Sequence, residues 1–213
     1  MRTQEDPTAK AVRIWDKMAP RYDRDIQFWE KVQFGGGREW IGARAKGRVL
    51  EVAVGTGRNF DFYSRRVGIT GVDLSPDMLD IARRHAIDLD LEVNLRVAAA
   101  EALPFDDDSF DTAVCTLSLC TIPDPAASIA EMKRVLRQGG QLLLLDHIGS
   151  NWWPIWAAQR LIEQLTVRTA GEHMTRRQLP LVEAAGFDIV ETQRLKAGTV
   201  ERIAARKPVT VDS

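Results

Sequence analysis

Apolar and polar residues follow two different rhythms along this chain. Through residues 8–34, Trp15, Met18, Tyr22, Phe28, Trp29 and Val32 recur at the spacing of one or two helices. A break is expected at Ala19-Pro20, because the residue before a proline avoids the helical region. Gly35-Gly36-Gly37 reads as a joint, and Arg38 to Ala45 as a further helical piece. From Arg48 the pattern becomes strand alternating with helix. Strands are expected at Arg48–Val54, Ile69–Asp73, Leu91–Val97, Thr112–Leu119 and Gln141–His147. A helix follows Ser75-Pro76 to about His85, and another runs from Asp124-Pro125 to Gly139-Gly140. Two more are expected at Pro154–Arg168 and Thr175–Ala185, the second opened by a Thr175…Gln178 capping box and closed by Gly186. Phe187–Leu195 and Thr199–Ala205 read as a closing pair of strands. Strands alternating with helices predict a doubly wound α/β domain, a parallel sheet covered on both faces. The uninterrupted apolar runs LLLL and TAVCTLSL suit central strands buried on both sides.

Composition narrows the classes. The 213 residues fit one domain, and 29 basic against 30 acidic side chains leave a net charge of −1. That balance lacks the basic excess of a dedicated nucleic-acid binder. Cys115 and Cys120 both lie in an apolar run, cannot make a disulfide framework, and suit a reducing cytoplasm as buried packing residues. The N-terminal stretch MRTQEDPTAK is polar and lacks the apolar core of a signal peptide. Apolar runs such as Leu142–Leu145 fall far short of the roughly 20 residues that cross a bilayer. A cytoplasmic protein is expected, with attachment to a membrane surface left open.

In a doubly wound sheet, ligands bind beyond the carboxyl ends of the strands. Glu51 and Gly55-x-Gly57 stand at the end of the first strand, and Asp73 at the end of the second. Glycines leave the turn bare for a ligand, and the amides opening the next helix are expected to face it. An acid placed like Asp73 accepts both hydroxyl hydrogens of a ribose. Each element alone is equally a simple turn or a helix cap; their joint spacing favours a nucleoside crevice. Which nucleoside follows from what is missing. The run GTGRNF puts Phe60 where a dinucleotide site wants its third glycine, and there is no triphosphate-binding loop. Glu51 suits a cationic group instead. S-adenosylmethionine carries a ribose, an adenine, an ammonium and a sulfonium, and no phosphate.

The stretches VLEVAVGTG (Val49–Gly57), GVDLSPDML (Gly71–Leu79), AEALPFDDDSFD (Ala100–Asp111) and RVLRQGGQLLLLD (Arg134–Asp146) resemble successive motifs of the class I S-adenosylmethionine-dependent methyltransferases. WDKMAPRYD (Trp15–Asp23) is similar to the N-terminal segment of the quinone-biosynthesis and phosphatidylethanolamine methyltransferases. NFDFY (Asn59–Tyr63) and VCTLSLC (Val114–Cys120) look closest to the thiol methyltransferase-like branch. The resemblance implies a seven-stranded Rossmann-like sheet whose last strand is antiparallel. It implies a helical lid over residues 1–47 and a cofactor-binding core over 48–213. It places Glu51, Ala53, Gly55 and Gly57 around the methionine part of S-adenosylmethionine, and Asp73 on the ribose. Leu74 and Met78 would line the adenine pocket, Ala100 and Glu101 its edge, and Thr116 and Leu117 the ammonium, with Tyr22 closing over the cofactor. Two positions depart from the family pattern. Ala53 replaces the first glycine of E-x-G-x-G-x-G, and Ala99 stands where an aspartate usually meets the adenine amine, with Glu101 beside it as a substitute.

For chemistry, His147 is the candidate base, following Asp146 at the end of the fifth strand; the alternative is a histidine that merely bonds backbone. His173 reads as solvated and His85 as a helix-end residue. No ligand spacing indicates a metal. Trp152, Trp153 and Trp156 are expected to wall an apolar acceptor pocket in preference to resting on a membrane. The leading expectation is methyl transfer to the sulfur, oxygen or nitrogen of a small hydrophobic acceptor, leaving S-adenosylhomocysteine; the sequence leaves the oligomeric state open, with a monomer plausible. Its rivals are a phospholipid or quinone methyltransferase at a membrane surface, a non-catalytic cofactor-binding protein, and a nicotinamide dehydrogenase. Nucleic-acid substrates are not expected.

Overall fold

Within each central strand, successive side chains enter opposite layers, and both layers are apolar. Leu50 and Val52 of β1 (Arg48–Val52) and Leu142 and Leu144 of β5 (Leu136–His147) pack on one side with Ile129 and Met132 of α5 (Pro125–Val135) and Val182 of α7 (Leu179–Ala184). Val49, Leu143 and Leu145 pack on the other, with Trp40 and Ile41 of α3 (Gly37–Arg44) and Leu79 and Ala82 of α4 (Pro76–Asp88). The remaining strands are β2 (Gly68–Asp73), β3 (Val93–Val97), β4 (Phe110–Thr116), β6 (Asp188–Leu195) and β7 (Val200–Arg206). Together they form one seven-stranded sheet in the order β3-β2-β1-β4-β5-β7-β6. The first five are mutually parallel, and β7 runs antiparallel to both β5 and β6. This is the doubly wound architecture expected, with its order reversing between β1 and β4. This computed structural model describes residues 7–209; residues 1–6 and 210–213, and the side chains of Pro7, Trp29 and Ala170, lie outside the description, including the start of the polar N-terminal segment.

Before the sheet, α1 (Pro7–Met18) and α2 (Tyr22–Gln33) are separated by a 3₁₀ turn at Ala19–Arg21, the break that Pro20 imposes. An 18-residue helix, α6 (Trp153–Ala170), follows β5. Among the described residues no helix is long and apolar enough to cross a membrane.

Three local expectations are corrected. No α-helix opens after β1; the glycine turn leads only to a 3₁₀ turn at Phe60–Phe62, because Asn59 and Tyr63 turn inward to meet buried Glu51. α5 stops at Val135, and the segment up to Gly139-Gly140 is drawn into β5 as an irregularity, with Gly139 N donating to Lys207 O and Lys207 N donating to Gly140 O. The Thr175 capping box does not form. The Thr175 hydroxyl donates to the buried Glu163 carboxylate at 2.6 Å, and α7 begins later, at Leu179-Pro180. A charged acceptor competes well with a backbone amide for that hydroxyl.

Candidate cofactor cleft

At the carboxyl ends of β1, β2 and β4 lies an open cleft. The turn after β1 forms its floor. Ala53 sits at φ 54°, a left-handed conformation that costs a residue with a Cβ about 1–2 kcal/mol. Ala53 thus holds a left-handed conformation that a glycine adopts at no steric cost. Gly55 lines the cleft at φ 56°, and a methyl group added to it would meet nothing within 4 Å. Its backbone therefore stands bare to the open space.

Two buried carboxylates flank this turn. Asp73 Oδ2 accepts from Gly55 N at 2.8 Å and Oδ1 from Ser75 N at 2.9 Å. Burial pushes the Asp73 carboxyl up, while those amides pull it back. Glu51 accepts from Asn59 Nδ2 and from the Tyr63 hydroxyl, each at 2.8 Å. Burial raises Glu51 to about 7, despite the opposing Tyr63, Arg38 and Asn59. Asn59 also donates to Thr116 Oγ1 at 3.0 Å, which ties the ends of β1 and β4 together.

The N-terminal helices close the opposite wall. Thr56 Oγ1 and Arg58 donate to Asp23 of α2 at 2.7 and 3.2 Å. Arg58 also reaches Glu30 at 2.8 Å, and Arg38 Nε donates to the same carboxylate. From α1, Asp16 accepts from the Ser75 hydroxyl, which itself accepts from Met78 N and so caps α4. Trp15 and Tyr22 meet edge to face at 6.1 Å between ring centres, and burial raises Tyr22 to about 12.

Eleven of the twelve residues expected around the cofactor line this cleft: Tyr22, Glu51, Ala53, Gly55, Asp73, Leu74, Met78, Ala100, Glu101, Thr116 and Leu117. Gly57 does not. At φ 82° it shapes the turn behind the cleft, and a Cβ there would come within 2.4 Å of the Phe60 ring. Glu101, beside Ala99, accepts from Asp124 N at 3.2 Å and so also holds the start of α5. Leu117, at φ 56°, donates its backbone N–H to Leu145 O at 2.7 Å. Residues that sequence reasoning missed are Arg38, Arg58, Asn59 and Tyr63. Asn59 and Tyr63 stood out only as part of the NFDFY resemblance, and nothing in the sequence signalled what Arg38 and Arg58 would pair with. The two arginines are engaged by Glu30, Asp23 and Asn59, so they are not a free phosphate clamp.

Neither Asp146 nor His147, expected at the chemistry, lines the cleft. Asp146 is buried and accepts from Cys120 N and His147 N at 3.2 and 2.8 Å. His147 Nε2 lies 2.9 Å from Glu172 Oε1. Cys120, His147 and Glu172 thus converge, although their spacing in sequence gave no hint of it. Cys115 and Cys120 are buried free thiols as expected, and burial raises Cys120 to about 12. His85 lies 3.2 Å from Asp61, and His173, its side chain 40 % exposed, lies 3.5 Å from buried Glu163. The aromatic pocket wall is also corrected. Trp152, Trp153 and Trp156 are 61, 75 and 44 % exposed and do not border the cleft.

Fold and site together define a doubly wound domain with a cleft at its strand ends, flanked by two buried carboxylates and closed by the N-terminal helices. Residues 50–144 match the methyltransferase domain family, and the chain belongs to the class I S-adenosylmethionine-dependent methyltransferases. It is similar to thiol S-methyltransferase TMT1A of Homo sapiens, 30 % identical over 185 residues that make up 83 % of this chain and 74 % of that protein. It is also similar to phosphatidylethanolamine N-methyltransferase of Cereibacter sphaeroides, 38 % identical over 129 residues, 60 % of this chain. The chain spans 63 % of that relative's length. Its fold matches a solved SAM-dependent methyltransferase of Methanosarcina mazei with a TM-score of 0.64 at 24 % identity, over 76 % of this chain and 93 % of that one.

Proposed function

We propose that this chain binds S-adenosylmethionine in the cleft and transfers its methyl group to a hydrophobic acceptor. The observation that carries the reading is the pairing of Asp73 and Glu51 on either side of the bare Gly55 turn. Asp73 presents its carboxylate where a ribose diol would donate, and Glu51 sets negative charge near where an ammonium would lie. Leu74 and Met78 supply an apolar slot for a base. The matched arginines leave no cationic cradle for a pyrophosphate, which weighs against a nicotinamide cofactor.

When bound, the cofactor supplies an electrophilic methyl group on a sulfonium. The chain's own task is to align an acceptor with it and keep water out. Such orientation contributes about 7–11 kcal/mol to a displacement reaction. Tyr22 and Trp15 close the cleft from above, and at neutral pH the Tyr22 hydroxyl is a donor, not a base. His147 does not line the cleft, so acceptors that reach the site ionised or carry a free lone pair fit best.

A specific observation favours an acceptor drawn from a lipid surface. α6 carries its apolar residues outward, with Trp153, Leu161 and Leu165 exposed, and buries Gln159 and Glu163 inward. A face of that kind marks an interaction surface. The relative that methylates phosphatidylethanolamine is named for such an acceptor, and the thiol methyltransferase points to sulfur. Buried, free Cys115 and Cys120 accord with a cytoplasmic setting.

Calorimetry tests the site. S-adenosylhomocysteine should bind and NADH should not. Asp73→Asn, a shape-conserving change, should weaken the sulfur nucleoside by about 3 kcal/mol, roughly a hundredfold, through hydrogen bonds lost from a charged acceptor. Unchanged affinity in a folded Asp73→Asn protein would remove Asp73 from the site.

A further inference from the structure

Behind the cleft wall, three chain segments far apart in sequence bring a thiol, an imidazole and a carboxylate together. Cys120 stands on the loop after β4, His147 ends β5, and Glu172 lies just beyond α6. One ligand-capable atom from each lies within 4.8 Å of the other two. The arrangement is braced from several directions. His173 N donates to Cys120 O at 2.9 Å, which fixes the Glu172 segment to the Cys120 loop. The Arg176 guanidinium donates to Leu119 O and Ile122 O at 2.6 and 2.7 Å, on either side of Cys120. Asp146 accepts from the backbone amides of both Cys120 and His147.

Inside this frame the side chains are not fully used. Both ring nitrogens of His147 are shielded from water and neither has a hydrogen bond of good geometry, although Glu172 Oε1 approaches to 2.9 Å. Cys120 has no disulfide partner. Thiolate, imidazole and carboxylate form a donor set that suits zinc, whereas magnesium and calcium seek oxygen alone. Three protein ligands leave a fourth tetrahedral position open, the arrangement of zinc sites that exchange a ligand. Side-chain exposures of 15 % at His147 and 31 % at Glu172 leave an entry path on the Glu172 side.

We propose that Cys120, His147 and Glu172 form a zinc-binding site with one open coordination position. The next residues, Thr121 to Pro123, line the cofactor cleft. Metal binding would therefore fix the wall on which an acceptor is presented, and the open position would accept water or a thiolate. The site shares no ligand with the cleft, so it does not depend on the methyltransferase reading.

The full chain, reduced and stripped with a chelator, is titrated with cobalt(II) as the spectroscopic probe and then with zinc. The expected result is one equivalent bound, visible bands of tetrahedral cobalt, a near-ultraviolet thiolate-to-cobalt band, and proton release on binding. Zinc should bleach the spectrum. Cys120→Ser should abolish the thiolate band and weaken zinc about a hundredfold, while Cys115→Ser leaves both unchanged; loss of a ligand is at least as costly as the roughly 10–100-fold loss of an outer-shell partner. Should Cys120→Ser fail to fold, Glu172→Gln, at the exposed edge, should still weaken zinc at least about tenfold. Unaltered S-adenosylhomocysteine affinity in these variants separates this site from the cleft. Absence of stoichiometric binding, or a thiolate band that persists in Cys120→Ser, would overturn the assignment.

Discussion

Glu51 links stability to ligand charge through one buried carboxyl. Unfolded, it ionises near 4.5; folded, burial moves it to about 7. Between those values the native state holds a proton that the unfolded chain has lost. Its contribution to stability is thus complete below the lower value and disappears as pH rises through the upper one, a decline of about 3 kcal/mol. Urea midpoints from mildly acid to mildly alkaline buffer should fall accordingly, and Glu51→Gln should flatten the slope. Cofactor affinity should move the other way. A cationic ammonium favours the ionised carboxylate, so S-adenosylmethionine should bind more tightly as pH rises through neutrality. The Gln variant should lose that trend. Parallel slopes in both proteins would place the titration elsewhere. The residues at strand ends, Glu51 and Asp73, were legible in sequence because a two-residue period pins where each strand delivers its last side chain. Asn59 and Tyr63, which hold Glu51, come from an irregular turn with no period to read. Cys120, His147 and Glu172 meet only because the fold closes loops from three separate connections.

At the scale of elements, the N-terminal helices are held by polar contacts more than by a shared apolar core. Glu30 is the central tie, buried between Arg38 and Arg58. Removing one partner of such a buried group typically costs about 3–5 kcal/mol, since the remaining charge is stranded. Glu30→Ala should therefore loosen α1 and α2 from the glycine turn. Amide exchange reads this directly: α2 amides should exchange about a hundredfold faster, those of β4 should not, and S-adenosylhomocysteine should slow α2 in the wild type. Equal acceleration across β4 would mean that α2 is part of the core and not a lid. Elements with local stop signals matched their expected boundaries: Pro20 divides α1 from α2, and the Ser75 and Asp124 caps form with their own amides at 3.1 and 2.9 Å. Elements whose ends depend on distant partners did not. Thr175 left its capping role for Glu163, and Lys207 drew Gly139-Gly140 into strand pairing.

Across the whole molecule, the exposed face of α6 is inverted relative to an ordinary surface helix. Trp153, Trp156, Leu161 and Leu165 face outward beside exposed Arg160 and Arg168, while Gln159 and Glu163 are buried. The inward polar pair is satisfied: Gln159 bonds Ser150 N and Ile148 O, and Glu163 receives the Thr175 hydroxyl. Among the described residues, Trp153, Leu161 and Leu165 of this outward stripe remain at least 65 % exposed. Tryptophans with interleaved arginines suit the boundary between lipid headgroups and acyl chains, where indole is wet at one end and the guanidinium meets phosphate. An acceptor taken from a bilayer would then need no deep pocket of its own, which accounts for the missing aromatic wall. Vesicles containing anionic phospholipid should carry the wild-type chain upward in a density gradient and shift tryptophan emission to the blue. Each arginine near such a surface contributes about 1 kcal/mol, so high salt should weaken the association without ending it. Trp153→Glu combined with Leu165→Glu should lose at least about 3 kcal/mol of apolar burial, more than a hundredfold in partition, while cofactor binding stays intact. A wild-type chain that stays at the bottom of the gradient would remove the lipid surface as the source of acceptor and leave a freely diffusing hydrophobic molecule in its place.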